Sequence, residues 1–387
     1  VAALLAEANP EWTPDMLRSA LMTTARQDIM TADGLSEANG ELIYHGYNII
    51  DLGENADFEE VSYLLWNNKF PNEEELAAFN AEMIPLRTIP PEILTMLKGL
   101  PRGGHPVAVL RTAISAMALI DPCADEVTPE QSKRIAMTLT AVMPTIVAGW
   151  ERIRNDQEPL APRADLNHAA NFLYMMTGEE PTSETVDAMD KYLVLLADHG
   201  FNASTFSARV TTGTLSDMYS AITTAIGTLK GPAHGGATQA AMAQFIEAHE
   251  VGPEEWFSNV RAEGRRVMGI GHRVYKVKDP RAKILGPLAE KVAAKHEQGY
   301  WYDVARRIEE ASRQDKYFIE RDLFPNVDYY AAPVLYMIGI PMDTFTSIFA
   351  MSRVLGWSSH VLEQMENNRL IRPRANYVGP VDLAVKK

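Results

Sequence analysis

The sequence predicts a mostly α-helical protein, and three observations carry that reading. Apolar residues recur at three- and four-residue spacing over long stretches. Several of those stretches open on a helix-capping signature. Nowhere does a strand-like run alternate with a crossover helix, and Gly269-x-Gly271 lacks a third glycine at the dinucleotide-binding spacing, which argues against a nucleotide-binding α/β sheet. At 387 residues the chain is long enough for a large core and for two domains of ~150 residues or more.

Taken in order, residues 1–25 offer a short apolar helix, a turn at Asn9-Pro10, and a second helix with Thr13 as N-cap and Pro14 at its first position. From Gly40 to Asp51 the alternation of Leu42, Tyr44 and Tyr47 suggests a short hairpin-like strand. Asp57-x-x-Glu60 and Asn72-x-x-Glu75 have the form of capping boxes, the first followed by Val61, Leu64 and Leu65, the second by Leu76, Phe79 and Met83. Thr128-Pro-Glu-Gln131 opens a longer helix with Ile135, Leu139, Val142, Ile146, Trp150 and Ile153 on one side, which Pro144 is expected to kink. A helix carrying Val186, Met189, Leu193 and Leu196 is expected to stop at Gly200, with His199 in its last turn. The last long helix starts near Thr344 and embeds Arg353 among Phe345, Ile348, Phe349, Leu355 and Leu362. A cation in that setting calls for an acidic partner or an anionic ligand.

Hydrophobic residues make up 46% and charged ones 22%, ordinary for a globular enzyme. Lys and Arg number 36 against 51 Asp and Glu, a formal charge of −15, which disfavours nucleic acid and anionic membrane as partners. Cys123 is the only cysteine, which excludes an intramolecular disulfide and points to a reducing, cytoplasmic setting. No apolar run reaches the ~18 residues of a membrane span, and the start lacks the basic-then-apolar order of a secretory signal.

Against this acidic background, Gly269-Ile-Gly-His-Arg-Val-Tyr-Lys-Val-Lys-Asp-Pro-Arg281 sets a histidine after a glycine pair and before four cations. Histidine suits proton transfer near neutral pH and arginine presents a planar fork to carboxylates, so the stretch suggests acid/base work on an anionic substrate. The plainer alternative is a glycine turn leading into a solvated basic loop. Three further stretches bear on the choice: Ala197-Asp-His-Gly-Phe-Asn-Ala-Ser-Thr205, Gly231-Pro-Ala-His-Gly-Gly236 and Phe324-Pro-Asn-Val-Asp328.

In this order and spacing the four motifs resemble the citrate synthase family, over a region from about Gly40 to Gly379. Residues 1–25 instead resemble the segment that follows the nucleophile in subtilisin-like proteases, without the serine motif that should precede it. The start thus reads as a fusion or misjoined segment, or as a helical hairpin capping the fold.

The resemblance implies two helical domains, a large one from residues 26–234 and 334–387 and a smaller inserted one from 235–333, with the site in the cleft between them. It implies condensation of acetyl-CoA with oxaloacetate and water to citrate and CoA, with coenzyme A as a co-substrate and no permanently bound cofactor. Asp328 would be the base, His234 the donor to the enolate, and His272 the general acid at the ketone. His199, Arg281, Arg353 and Arg372 would hold oxaloacetate, Arg372 coming from the neighbouring subunit of a homodimer. Gly269, Ile270, Gly271 and Lys276 would meet coenzyme A.

Propionyl-CoA and a 2-methylcitrate synthase remain open, because one methylene is worth only about 1 to 3 kcal/mol in a pocket. A metal-dependent hydrolase built on His199, His234, His272 and Asp328 lacks any His-x-x-x-His spacing. A non-catalytic assembly protein on the same scaffold has the complete acid and base set against it.

Overall fold

The computed structural model describes residues 40–272, 275, 277–373, 375–381 and 383. The segment 1–25, with Thr13 and Pro14, lies outside the described residues, and so does Lys276.

The described chain opens with a hairpin, β1 (Ile43–Tyr44) against β2 (Tyr47–Asn48), Tyr44 opposite Tyr47. His45 and Gly46 both take positive φ, 44° and 92°, as a two-residue turn between twisted strands requires. The extended stretch ends sooner than the alternation suggests. The Asn48 side chain accepts the Ile50 N–H and starts a helix, α1 (Ile49–Asn55), so a local cap overrides the strand pattern. Both capping boxes form, each with its reciprocal pair of hydrogen bonds, at the heads of α2 (Phe58–Asn67) and α3 (Glu73–Met83).

Next come α4 (Pro91–Gly99), α5 (Pro106–Met117), α6 (Pro129–Arg154), α7 (His168–Thr177) and α8 (Ser183–Leu196). Then follow α9 (Ala203–Thr212), α10 (Met218–Leu229), α11 (Ala237–Val251), α12 (Pro253–Ala262) and α13 (Pro280–Ala293). The last are α14 (Tyr300–Gln314), α15 (Lys316–Ile319), α16 (Val327–Met337) and α17 (Phe345–Glu366). Thr128 caps α6 as its sequence implies, and the helix continues through Pro144 as one element. The helix α8 ends at Leu196, so His199 sits in the connection beyond it and not in its last turn. The connection is set by Gly200 at φ 52° and by Asn202, whose side chain caps α9.

The element that organises the packing is α17, which lies against α6, α9, α10 and α8. It is buried almost all round and not on one side only: Ser347, Ser352 and Ser358 are as enclosed as Phe345 and Ile348. Its polar side chains find partners inside, Ser352 donating to Leu193 O at 2.6 Å and Thr346 to Gly235 O at 3.1 Å. Helices α11 to α16 pack chiefly on one another, with α16 against α13 and α11, while α13 also reaches α1 and α8. The two groups share one continuous apolar core. Position 234 falls in the turn between α10 and α11, whereas Pro333 lies inside α16, which runs on to Met337. Among the described residues no helix is long and apolar enough to cross a membrane.

Candidate active site

Two of the four motifs are joined backbone to backbone. Gly271 N–H donates to Phe324 O at 2.7 Å and Asn326 N–H to Gly269 O at 2.8 Å, with the Asn326 side chain closing on Gly271 O at 2.8 Å. Gly269 is required there: its φ is 77°, and a Cβ would lie 2.9 Å from the Tyr329 Cα. This ribbon carries His272 on one strand and Asp328 on the other, at the start of α16. Asn326 caps that helix and accepts Asp328 N–H at 2.9 Å. The Asp328 Oδ1 accepts from Thr238 Oγ1 on α11, so one carboxylate oxygen is held and the other is left for a proton. Burial raises the pKa of Asp328 above the usual carboxylate value, opposed by the Thr238 hydrogen bond and the charge of Arg281.

His272 has a defined tautomer. The Tyr275 backbone N–H can only donate, and it meets His272 Nδ1 at 3.0 Å, so the ring proton of the neutral imidazole is on Nε2. Tyr275 also stacks on His272, ring centroids 4.5 Å apart, and its hydroxyl lies 3.0 Å from His199 Nε2. The rings of His199 and His272 are 5.4 Å apart, edge to face. His234 stands in the compact turn before α11, where Gly235 N–H bonds Leu229 O at 2.9 Å and a Cβ on Gly235 would sit 2.7 Å from that oxygen. Its Nε2 is 2.8 Å from Ser204 Oγ, which accepts the Trp357 indole N–H at 3.0 Å. Ser204 has one hydrogen to give and two acceptors for it, His234 Nε2 at 2.8 Å and Asn202 Oδ1 at 2.7 Å. In the form in which His234 takes it, the imidazole proton is on Nδ1.

Burial and the charge of Arg353 push His234 down to about 4, and burial and Arg281 push His272 to about 4 against the opposing effect of Asp279. His199 is lowered well below 6.5 by burial, then by Arg281, Arg353 and the other two histidines. All three are neutral donors at pH 7. Two cations share the site. Arg281 is 3% exposed and paired with Asp279 through Nε at 3.1 Å and Nη2 at 2.8 Å. Arg353 is 1% exposed, gives Nε to Leu196 O at 2.6 Å, stacks over Phe349, and has no carboxylate ion pair among the described residues. Burial lowers it to about 10, so it is still cationic at neutral pH and open to an anion.

A family model described as "Citrate synthase, C-terminal domain" matches residues 21–374. A citrate synthase from Haloferax volcanii is 48% identical over 89% of this chain and 91% of that protein. A 2-methylcitrate synthase from Mycobacterium tuberculosis is 40% identical over 87% of this chain and 84% of its own length. The citrate synthase structure from Pyrobaculum aerophilum superposes with a TM-score of 0.84 at 41% identity, covering 90% of this chain and 89% of that one. That from Thermoplasma acidophilum, solved as a ternary complex with carboxymethyl coenzyme A and oxaloacetate, gives 0.85 at 36% identity, covering 90% and 93%. The chain belongs to the citrate synthase family. Members of this family are transferases that use coenzyme A thioesters as substrates, and this chain is an enzyme of that kind.

For a citrate synthase family member, the fold brings together most of the sequence-derived candidates, namely His199, His234, His272, Arg281, Arg353 and Asp328. It does not bring Arg372 to them. Arg372 is exposed on the segment after α17, where Ile371 lies against Gly213 at the far end of α9. The site end of that ten-residue helix is ~15 Å away. The backbone at Gly269 to Gly271 is largely committed, since Gly269 O, Gly271 N and Gly271 O all bond within the ribbon. Among the described residues no three His, Cys, Asp or Glu side chains stand together as a metal ion would need.

Five residues at this citrate synthase family site were not read from the sequence. Asp279 and Tyr275 had a usable signal, lying two residues before Arg281 and three after His272. Thr238, Ser204 and Trp357 had none, because they reach their partners over 90, 30 and 153 residues of chain.

The depressed histidines fix the sign of their own acid response. Their folded pKa values, about 4 for His234 and His272 and about 3 for buried His168, lie below the ordinary 6.5, so the unfolded chain binds more protons between those limits. Their contribution to stability is complete above pH 6.5 and is lost as pH falls towards 4. Buried carboxyls with raised pKa values, Glu59 at about 7 and Asp190, act in the opposite sense, so the test is a difference: Tm should fall less between pH 7 and pH 5 in His168→Phe than in wild type, and an equal change would refute this.

Proposed function

We propose that the chain condenses acetyl-CoA with oxaloacetate, and that water then hydrolyses the thioester to give citrate and CoA. The observation that supports it most is the gathering of neutral His234 and His272 with the Asp328 carboxylate beside two buried cations. Asp328, held by Thr238, takes a methyl proton from the thioester with its free oxygen. The C–H electrons become the enolate, whose oxygen receives a hydrogen bond from His234 Nδ1. The enol carbon attacks the ketone carbon, and as that C=O opens to an alkoxide His272 gives it the Nε2 proton. Arg353 and the free Nη1 edge of Arg281 hold the oxaloacetate carboxylates, with His199 beside them. Coenzyme A would reach the Gly269 to Gly271 segment at Ile270 and Lys276. On this reading the two helix groups, 26–234 with 334–387 and 235–333, are domains flanking the cleft, and the single cysteine fits a cytoplasmic enzyme.

The test is release of free thiol from acetyl-CoA and from propionyl-CoA, each with oxaloacetate, with and without a chelator. Acetyl-CoA should give the larger kcat/KM, and the chelator should change nothing. The relatedness to 2-methylcitrate synthases makes propionyl-CoA the informative competitor. A preference for it would overturn the substrate while keeping the chemistry, and no thiol from either would overturn both.

Arg372 lies too far along α9 to serve its own chain's site, which supports a homodimer whose sites are shared. Mixed oligomers of Asp328→Asn and Arg372→Ala chains should therefore regain activity, up to about one quarter of wild type if subunits pair at random and one intact site forms per hybrid. Hybrids that form without any recovery would count against the shared site.

A further inference from the structure

Behind His199 lies a partly buried charged cluster that the proposed chemistry does not use. His360 of α17 sets its Nε2 3.3 Å from Asp198 Oδ1 and its Nδ1 3.3 Å from Glu363 Oε2. Arg209 of α9, 1% exposed, completes the row: its Nη1 donates to Glu363 Oε2 at 2.6 Å and also faces His360 Nδ1 at 3.1 Å, so it competes with an Nδ1 proton for the same carboxylate oxygen. The Asp198 contact is an ion pair and not an aligned hydrogen bond, since Asp198 Oδ1 is buried without a hydrogen-bond partner. That oxygen therefore depends on charge.

The same two cations hold the connection a second time. The Phe201 ring lies 5.4 Å from the His360 ring and 4.8 Å beneath the Arg209 guanidinium. On the other side the Tyr44 hydroxyl donates to Asp198 O at 2.7 Å and accepts Asp198 N–H at 3.0 Å, while Gly356 N–H bonds Ala197 O at 3.0 Å. A Cβ on Gly356 would come within 2.5 Å of Asp198 Oδ1, so α17 is pressed against the connection at this point. Between Asp198 and Phe201 sits His199, and one residue further Asn202 caps α9 and the Ser204 that meets His234.

We propose that His360, held between the Asp198 and Glu363 carboxylates, is a positioning residue that fixes the Asp198 to Asn202 connection and so sets His199 for the 2-oxo acid. The proposal rests on the reading of His199 as an oxaloacetate ligand. Burial alone would lower the pKa of His360, but Asp198 and then Glu363 raise it to about 9, against Arg209. Asp198 is lowered in spite of burial by His360 and Arg353. The remaining titratable groups facing the pair are Tyr44 and His45 of the hairpin, and His45 is lowered by burial, so the imidazolium here is His360. The sign follows: the charge is complete at neutral pH and is lost as pH rises through about 9.

The experiment measures kcat and both KM values for wild type, His360→Ala, His360→Gln and His199→Ala from pH 7 to 10. At pH 7.5 both His360 variants should raise the oxaloacetate KM about tenfold, leaving kcat and the acetyl-CoA KM within about threefold. The wild-type oxaloacetate KM should climb towards the variant value as pH rises through about 9, and the variants should lack that climb, showing only the later rise as Arg353 loses its charge near 10. Should His360→Ala fail to fold, His360→Gln carries the test alone. An unchanged oxaloacetate KM, an equal loss in all parameters, or a climb through about 9 that is the same in wild type and variants overturns the proposal. His199→Ala without effect on that KM overturns the role of His199 itself, which separates the two failures.

Discussion

Replacing Asp328 with asparagine should lower kcat by about a thousandfold, within the range of 10² to 10⁴ that a positioned base contributes. The substituted amide keeps an oxygen for the Thr238 hydroxyl and the backbone bond to Asn326, so the geometry survives and only proton acceptance is removed. The effect should fall on kcat with the oxaloacetate KM little changed. Stability should move the other way. Burial raises the pKa of Asp328, so its carboxylate destabilises the fold above that pKa, and the neutral amide should melt no lower than wild type at pH 7. Steady-state kinetics and a melt on the same sample check both, and a kcat within tenfold of wild type would remove Asp328 from the role of base.

Truncating His272 to alanine should lower kcat/KM by about 10² to 10³, the cost of one preorganised donor to a developing oxyanion. The His272 tautomer makes the result specific. Because the backbone of Tyr275 holds Nδ1, only Nε2 can donate, and with a pKa of about 4 the ring stays neutral through the working range. The wild-type rate should therefore show no inflection near the ordinary histidine value of about 6.5. A limb at that pH, absent from His272→Ala, would mean that an imidazolium is the active form.

What the sequence made legible and what it hid divide along chain distance. Both capping boxes were readable because donor and acceptor are three residues apart, and they formed with the expected partners. The histidines and Asp328 stood out through the order and spacing of four motifs that resemble the family, since each local context alone fits a plain turn. Their orientation was not, since it depends on Thr238, Ser204 and Trp357 crossing from other helices. Arg353 shows both sides of this. Its pattern called for an acidic partner or an anionic ligand, whereas the partner the fold supplies is the Leu196 carbonyl, with no carboxylate ion pair among the described residues. The embedding was also understated, because a helix enclosed on every side reads from its apolar residues alone as one with a single buried stripe.

The enclosure of α17 has a consequence for how the protein is made. The helix that fills the centre is made after every helix it packs on, and its contacts span most of the described chain, as in the bond from Trp66 to Ser358 across 292 residues. Until it arrives, α6, α8, α9 and α10 share an unfilled groove, and neither Arg353 nor the Trp357 that orients Ser204 is in place. Nascent chains thus carry that apolar groove open from the time α10 is made until α17 follows, at ~5 to 20 residues per second. They acquire a binding site and a closed core in the same step, so aggregation and activity compete during that interval.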